Sequence, residues 1–459
     1  MKYDLVIKNG TVVSATDMFK CDLAVKDGVI AAMQLDIDPA EGEKVVDAQG
    51  KLVLPGAIDA HTHLAMPFGG TISADGYLAG TRAAVCGGVT TLFDYPIQRK
   101  GQTILGTVNP KKAILEKEAC CDYAMHCAIT NLNDGQIIEE LPQAVEEGIT
   151  SFKGFLVYKK EGMMVDDATL VRLMTEAKKL GAMVNVHAEN PDIIDMNTER
   201  LLAEGKTSAW YHYVSRPEFV AAEADKRTAH WSKSLNVPVY LVHMSDKEGL
   251  EACIDAKTSG APLFIETCPH YLEFTCEVFK REDGRNFVCS PPMKGEESRL
   301  ALWAALKNGL IDTVATDHCP FQQHEKDWGI DNFTKIPNGC AGTENLYPYM
   351  LDAANTGKIS FPRAVAVCST NVANIFGCDK KGSLNVGKDA DIVIYDPNKD
   401  FTISVKNMHS DYDHTIWEGK KVHGYPVQTY VRGKLMYDNG EFVGTPGWGK
   451  YVKRVPVYR

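Results

Sequence analysis

The chain has 459 residues, 44% of them apolar and 24% charged, with a net charge of −11; that is room for one large globular domain plus a smaller one. No basic block follows a phosphate backbone and no apolar run is long enough for a helix to span a bilayer, so neither nucleic acid nor membrane is an expected partner. The thirteen cysteines include no Cys-x-x-Cys pair, a pattern of reduced, buried thiols rather than a disulfide scaffold.

The opening Tyr3-Asp4-Leu5-Val6-Ile7 lacks the charged region and long apolar core of a secretory leader, and a cytoplasmic location is expected. Over residues 1–53 short strands alternate with turns. Leu5 to Ile7 leads into Asn9-Gly10, Leu23 to Val25 into Asp27-Gly28, and Val45-Val46 into Gln49-Gly50. These faces are too small for a core of their own.

Residues 54–377 then alternate strand and helix. Eight apolar runs read as strands: Val53 to Ala60, Val89 to Tyr95, Tyr123 to Thr130, Thr150 to Phe155, Met183 to His187, Val237 to His243, Pro262 to Cys268 and Thr313 to Thr316. Helical spacing intervenes, as in Asp166 to Leu180, Lys247 to Thr258 and Glu297 to Asn308. Eight such units predict an α/β fold, a (β/α)8 barrel. Residues 378–459 return to strands at Asp391 to Tyr395 and Gln428 to Val431, with turns at Arg432-Gly433 and Asn439-Gly440. Residues 1–53 and 378–459 are therefore expected to share one small β-sandwich. The tail from Gly447 to Arg459 carries Trp448, Tyr451, Val455 and Tyr458, too apolar for a free end, and should dock.

The barrel gives the polar residues meaning, because its functional groups gather at the carboxyl ends of the strands. His61, His63, Lys153, His187, His243 and Asp317 all fall at such ends. His61 and His63, separated by one residue on an extended segment, can point the same way toward one metal ion. A lone His-x-His is weak evidence; six polar residues at ends of five strands are not. Four histidines and an aspartate can serve one or two divalent ions, with zinc favoured by imidazole. Lys153 is anomalous, since a protonated ammonium ligates no metal. On composition alone it reads as a lysine that binds an anionic substrate, while its uncharged amine can instead take up carbon dioxide as a bridging carbamate.

Several segments, in order, resemble the cyclic amidohydrolases of the hydantoinase and dihydropyrimidinase branch. They include Pro55-Gly56, His61-Thr62-His63-Leu64, Met66-Pro67-Phe68-Gly69-Gly70-Thr71, Ser151-Phe152-Lys153, Tyr158-Lys159, His187-Ala188-Glu189-Asn190, Glu266-Thr267-Cys268-Pro269, Ala315-Thr316-Asp317-His318-Cys319-Pro320 and Gly447-Trp448-Gly449-Lys450-Tyr451. The resemblance implies hydrolysis of a small cyclic ureide to an N-carbamoyl amino acid. It implies two divalent ions, with zinc the expected metal, and Lys153 carboxylated by carbon dioxide as the bridge. His61, His63 and Asp317 would hold the more buried ion, and His187 and His243 the other. Asp317 would also carry the proton, Tyr158 would support the oxyanion, and backbone groups at Ser290 and Asn338 would hold the ring. A homotetramer is implied as well. His318 is expected to support its neighbours, His270 to be structural.

Dihydroorotase and allantoinase are the close alternatives. The former would place an arginine two residues past the second histidine, where this chain has Ala65. A non-enzymatic dihydropyrimidinase-related scaffold would lack most ligands, and here all six positions are filled. Departures from the family pattern are Ala65 in place of a frequent aspartate, Gly154 in place of a larger apolar residue, and Leu346 in place of an arginine. Ala65 and Gly154 are expected to widen the pocket for a bulky ring substituent, such as a phenyl group.

Overall fold

In the computed structural model, which describes residues 2–458, the alternating patterns at the two chain ends become two facing sheets. Tyr3–Lys8 pairs antiparallel with Asp22–Lys26 and parallel with Gly42–Asp47, and Val29–Gln34 completes a four-stranded sheet. A seven-stranded sheet takes Thr11–Val13, Met18–Lys20 and Leu52–Pro55 from the front of the chain. Its other strands are Ile392–Thr402, Lys421–Val431, Lys434–Asp438 and Glu441–Phe442. Leu5, Ile7, Leu23 and Val25 share one buried cluster with Val53, Ile392, Ile394 and Val427. Asp27-Gly28 and Asn439-Gly440 have positive φ at both residues, the turn that suits the right-handed twist of a two-residue hairpin.

Eight parallel strands form the barrel: Ala57–Thr62, Val89–Asp94, Asp122–Met125 with its continuation Cys127–Ile129, Ser151–Phe155, Met183–His187, Val239–Leu241, Leu263–Thr267 and Thr313–Val314. A bridge between Thr62 and His318 closes the ring. Two expected strands are subdivided. Val53 to Ala60 breaks at Gly56, with Leu52–Pro55 in the sandwich and Ala57–Thr62 in the barrel. A Cβ at Gly56 would lie 2.1 Å from Thr90 Oγ1, so glycine alone fits this crossing. The third strand breaks at His126, whose N–H bonds Asp94 O at 3.0 Å.

Helices cover the barrel where the 3.6-residue pattern placed them: Asp167–Lys179, Lys247–Thr258 and Glu296–Lys307. The first two are capped by Asp166, which accepts from Thr169 N–H at 2.7 Å, and Asp246, which accepts from Gly249 N–H at 2.7 Å. The connection after the fifth strand holds three more: Pro191–Ala203, Trp210–Ser215 and Glu218–Leu235.

The tail docks on its own chain. Tyr123 brackets it through Lys450 O (3.0 Å) and Val452 N–H (2.7 Å), and the Tyr458 hydroxyl donates to Ile375 O at 3.0 Å; Arg459 lies outside the described residues. The buried Lys381 ammonium pairs with Asp122 of the barrel and with Asp389 and Asp391 at the sandwich edge. All thirteen cysteines are free, and no helix among the described residues is long and apolar enough to cross a membrane.

Candidate active site

The six polar strand-end residues converge at one mouth. His61 lies near the end of the first strand and His63 just beyond it, Lys153 lies within the fourth and His187 ends the fifth. His243 and Asp317 follow the sixth and eighth strands. His61 Nε2 and His63 Nε2 each stand 3.1 Å from Asp317 Oδ1. Lys153 Nζ is 2.9 Å from His61 Nε2, and His243 Nε2 is 3.0 Å from His187 Nδ1. All six are buried or nearly so.

Two carboxylates behind the imidazoles set their orientation. Glu266 Oε1 lies 2.8 Å from His61 Nδ1, and Glu189 Oε2 lies 2.8 Å from His187 Nε2. Each ring thereby turns its other nitrogen toward the centre, the arrangement that presents a lone pair to a metal ion. Burial lowers all four histidines, so they are neutral. Burial alone would raise Asp317, but the imidazoles of His61 and His63 outweigh it and the carboxylate stays ionised. Burial would raise Glu189 as well; Arg216, 2.8 Å away, holds it well below the usual range. Glu266 is lifted by burial to about 8 against hydrogen bonds from His243 N–H and Tyr240 O–H.

This donor set fits divalent metal. His61, His63 and Asp317 bring one donor atom each within 4.8 Å of one another. His243 Nε2 and His187 Nδ1 lie 3.0 Å apart, close enough for one cation to take both as ligands. Burial lowers Lys153 to about 8, within reach of the uncharged amine that reacts with carbon dioxide.

A cavity opens directly on these groups, lined by His63, Lys153, Tyr158, His187 and Asp317. Its walls are apolar, with Met66, Phe68, Phe155 and Met163. Ser290 and Asn338 line it too, and Asn338 Nδ2 donates to Ser290 Oγ at 2.9 Å. Burial raises the Tyr158 phenol well above its ordinary value, which keeps it a donor. Ala65, Tyr158, His243 and Asp317 are left-handed, at φ 49, 66, 43 and 52°. Non-glycine residues held there cost roughly 1–3 kcal/mol each and cluster at functional sites.

The structure corrects the expected pocket wall. Neither Ala65 nor Gly154 lines the cavity. A Cβ at Gly154 would face Leu170 Cδ1 at 2.7 Å, on the helix side, because Lys153 and Phe155 take the inward positions of that strand. Helix packing accounts for the small residue. Leu346 is buried at the start of the helix Leu346–Asn355. His318 supports, as expected: its Nδ1 accepts from Gly342 N–H, its Nε2 lies 2.9 Å from Asp75 Oδ2, and its carbonyl accepts from His63 N–H. His270 packs against Tyr271 away from the cavity lining.

Sequence reasoning gave Glu189, Glu266 and Tyr95 no role. The signal was present for Glu266, the single charged residue in the buried strand Leu263–Thr267.

Comparison with known proteins agrees with this geometry. The model of the amidohydrolase family matches residues 52–436. The chain is similar to the D-hydantoinase of Geobacillus stearothermophilus, 40% identical over 98% of this chain and 96% of that one. It is also similar to the dihydropyrimidinase of Rattus norvegicus, 37% identical over 98% of this chain and 89% of that one. The crystal structure of dihydropyrimidinase from Brevibacillus agri superposes with a TM-score of 0.96 at 39% identity, over 99% of both chains. A family match across most of the chain, and relatives this close over nearly all of it, place the protein in the amidohydrolase family, in its hydantoinase and dihydropyrimidinase branch.

Proposed function

We propose that the protein hydrolyses the ring amide bond of 5-substituted hydantoins or of dihydropyrimidines, giving N-carbamoyl amino acids. One observation carries this reading: four histidines, an aspartate and a lysine meet beneath an apolar cavity with a half-buried tyrosine among its lining residues. His61, His63 and Asp317 would hold one divalent ion and His187 and His243 a second, with a carboxylated Lys153 bridging them. Zinc suits the four imidazoles. Divalent metal held by these residues would supply a water nucleophile at neutral pH and Lewis-acid polarisation of the ring carbonyl.

The chain's own residues do the rest. Asp317, ionised and facing His61 and His63, accepts the proton of the attacking water. It returns that proton to the ring nitrogen as the carbon–nitrogen bond breaks, so the nitrogen departs as the neutral NH2 of the carbamoyl group. The Tyr158 hydroxyl donates to the oxygen on which negative charge develops. Backbone groups at Ser290 and Asn338 hold the ureide, and the apolar walls shed water from the ring substituent. A homotetrameric assembly and a reducing, cytoplasmic setting belong to the same proposal, the latter supported by the free cysteines.

A panel of dihydrouracil, hydantoin, 5-phenylhydantoin, allantoin and dihydroorotate tests the reading. The expected outcome is turnover of the first three at rates well above the last two. Preference for allantoin or dihydroorotate would overturn the substrate assignment while leaving the metal centre standing.

A further inference from the structure

A column of buried polar side chains crosses the barrel from its floor to the mouth, and no step of the hydrolysis uses it. It begins on the carboxy-terminal tail. Arg454 is 1% exposed, and its guanidinium lies 5.1 and 5.9 Å from the ring centres of Phe93 and Phe376. Its Nη1–H donates to Ser151 Oγ at 2.7 Å and its Nη2–H to Met125 O. Ser151 Oγ lies 2.5 Å from His126 Nδ1, and His126 Nε2 lies 3.1 Å from Ala60 O. Asn185 Nδ2 is 3.2 Å from the same His126 Nδ1 and donates to the Tyr95 hydroxyl at 2.7 Å. The Tyr95 ring stacks on His126 at 4.3 Å, tilts against His61 at 4.7 Å, and has Lys153 Nζ 4.3 Å from its centre.

The direction of this column follows from its two ends. A guanidinium only donates, so Ser151 Oγ accepts from Arg454; its own proton turns to His126 Nδ1 because His126 Nε2 faces Ala60 O, which only accepts. The remaining ring proton then sits on Nε2 and is donated to Ala60 O, next in the chain to His61. One tautomer of His126 satisfies every contact. Without the guanidinium, Ser151 loses the donor that orients its hydroxyl toward His126 Nδ1, and the ring under Tyr95 is held only by Ala60 O and the Asn185 amide.

We propose that Arg454 is a positioning residue for the metal centre, fixing through Ser151, His126, Asn185 and Tyr95 the platform on which His61 and Lys153 rest. The inference depends on the reading of His61 and Lys153 as ligands. It gives the docked tail a role inside its own barrel, separate from any part in assembly. Removing the partners that orient a ligand typically lowers metal affinity 10–100-fold, so a column one layer further out is expected to act near about tenfold.

The test is a zinc titration of metal-stripped full-length protein against a chromophoric chelator, with melting temperature recorded for each variant. The variants are Arg454→Met, Ser151→Ala and, as a control for tail docking, Tyr458→Phe, which removes only the bond to Ile375 O. Arg454→Met and Ser151→Ala should each raise the half-saturating zinc concentration about tenfold, with Tyr458→Phe titrating like wild type whatever its melting temperature. If Arg454→Met fails to fold, Ser151→Ala decides alone, because it keeps the guanidinium on Met125 O and the two rings. Wild-type titration by Ser151→Ala, or a Tyr458→Phe shift as large as that of Ser151→Ala, would overturn the proposal. A wild-type chain that takes up no zinc would overturn the ligand reading beneath it instead.

Discussion

At the scale of the residue, the proposed mechanism divides proton transfer at Asp317 from oxyanion support at Tyr158, and their substitution separates the two. Asp317→Asn keeps one oxygen toward the imidazoles but cannot carry a proton; general acid–base assistance is worth about 10²–10⁴-fold, to which the lost charge adds. Tyr158→Phe removes one donor, about 10²–10³-fold. Turnover at saturating hydantoin, at equal metal content, should therefore fall further in Asp317→Asn; the reverse order would make oxyanion support limiting. Lys153→Ala should lose both metal and activity, with partial recovery on adding a short carboxylic acid, and full metal content in that variant would remove the bridging role. Lys153 and Asp317 stood out in the sequence because barrel strand ends gather function, whereas Tyr158, three residues past its strand, was pointed to by the family resemblance alone. Tyr95 and the partner of Glu266 were not legible, since these act through contacts between distant segments, such as Glu266 with His61; Glu189 sits two residues from His187, and only the folded turn brings its carboxylate to that ring. Gly154 misled for a simpler reason: a small residue beside a ligand says nothing about which face of the strand it serves.

At the scale of the element, local chemistry decides where strands and helices stop. Asp166 caps the helix Asp167–Lys179 through Thr169 N–H, so Asp166→Ala should lower stability by about 1 kcal/mol in denaturant unfolding, with turnover unchanged. An unchanged midpoint would mean that solvent replaces the cap fully. The hairpin turns and the capped helices were visible because a few adjacent residues determine them. The split at Gly56 was not. Leu52–Pro55 and Ala57–Thr62 form one apolar run in sequence, and only the approach of Thr90 within 2.1 Å of a would-be Cβ separates the sandwich strand from the barrel strand.

At the scale of the molecule, barrel and sandwich are joined by a buried charge cluster, and the barrel carries the chemistry. Lys381→Met should leave Asp122, Asp389 and Asp391 with one fewer cation; breaking a buried pair in this way costs roughly 3–5 kcal/mol. Calorimetry should show a matching fall in melting temperature, and a variant as stable as wild type would show that Arg432, which also pairs with Asp122, balances the cluster alone. The central claim is a hydrolytic site built on two ions held by His61, His63, Lys153, His187, His243 and Asp317. Its most direct test is hydantoin hydrolysis measured as zinc is returned to the stripped protein, with bound metal per chain determined by elemental analysis at each point. Activity should rise to its plateau at two bound ions per chain, and full activity at one ion, or at none, would contradict the account.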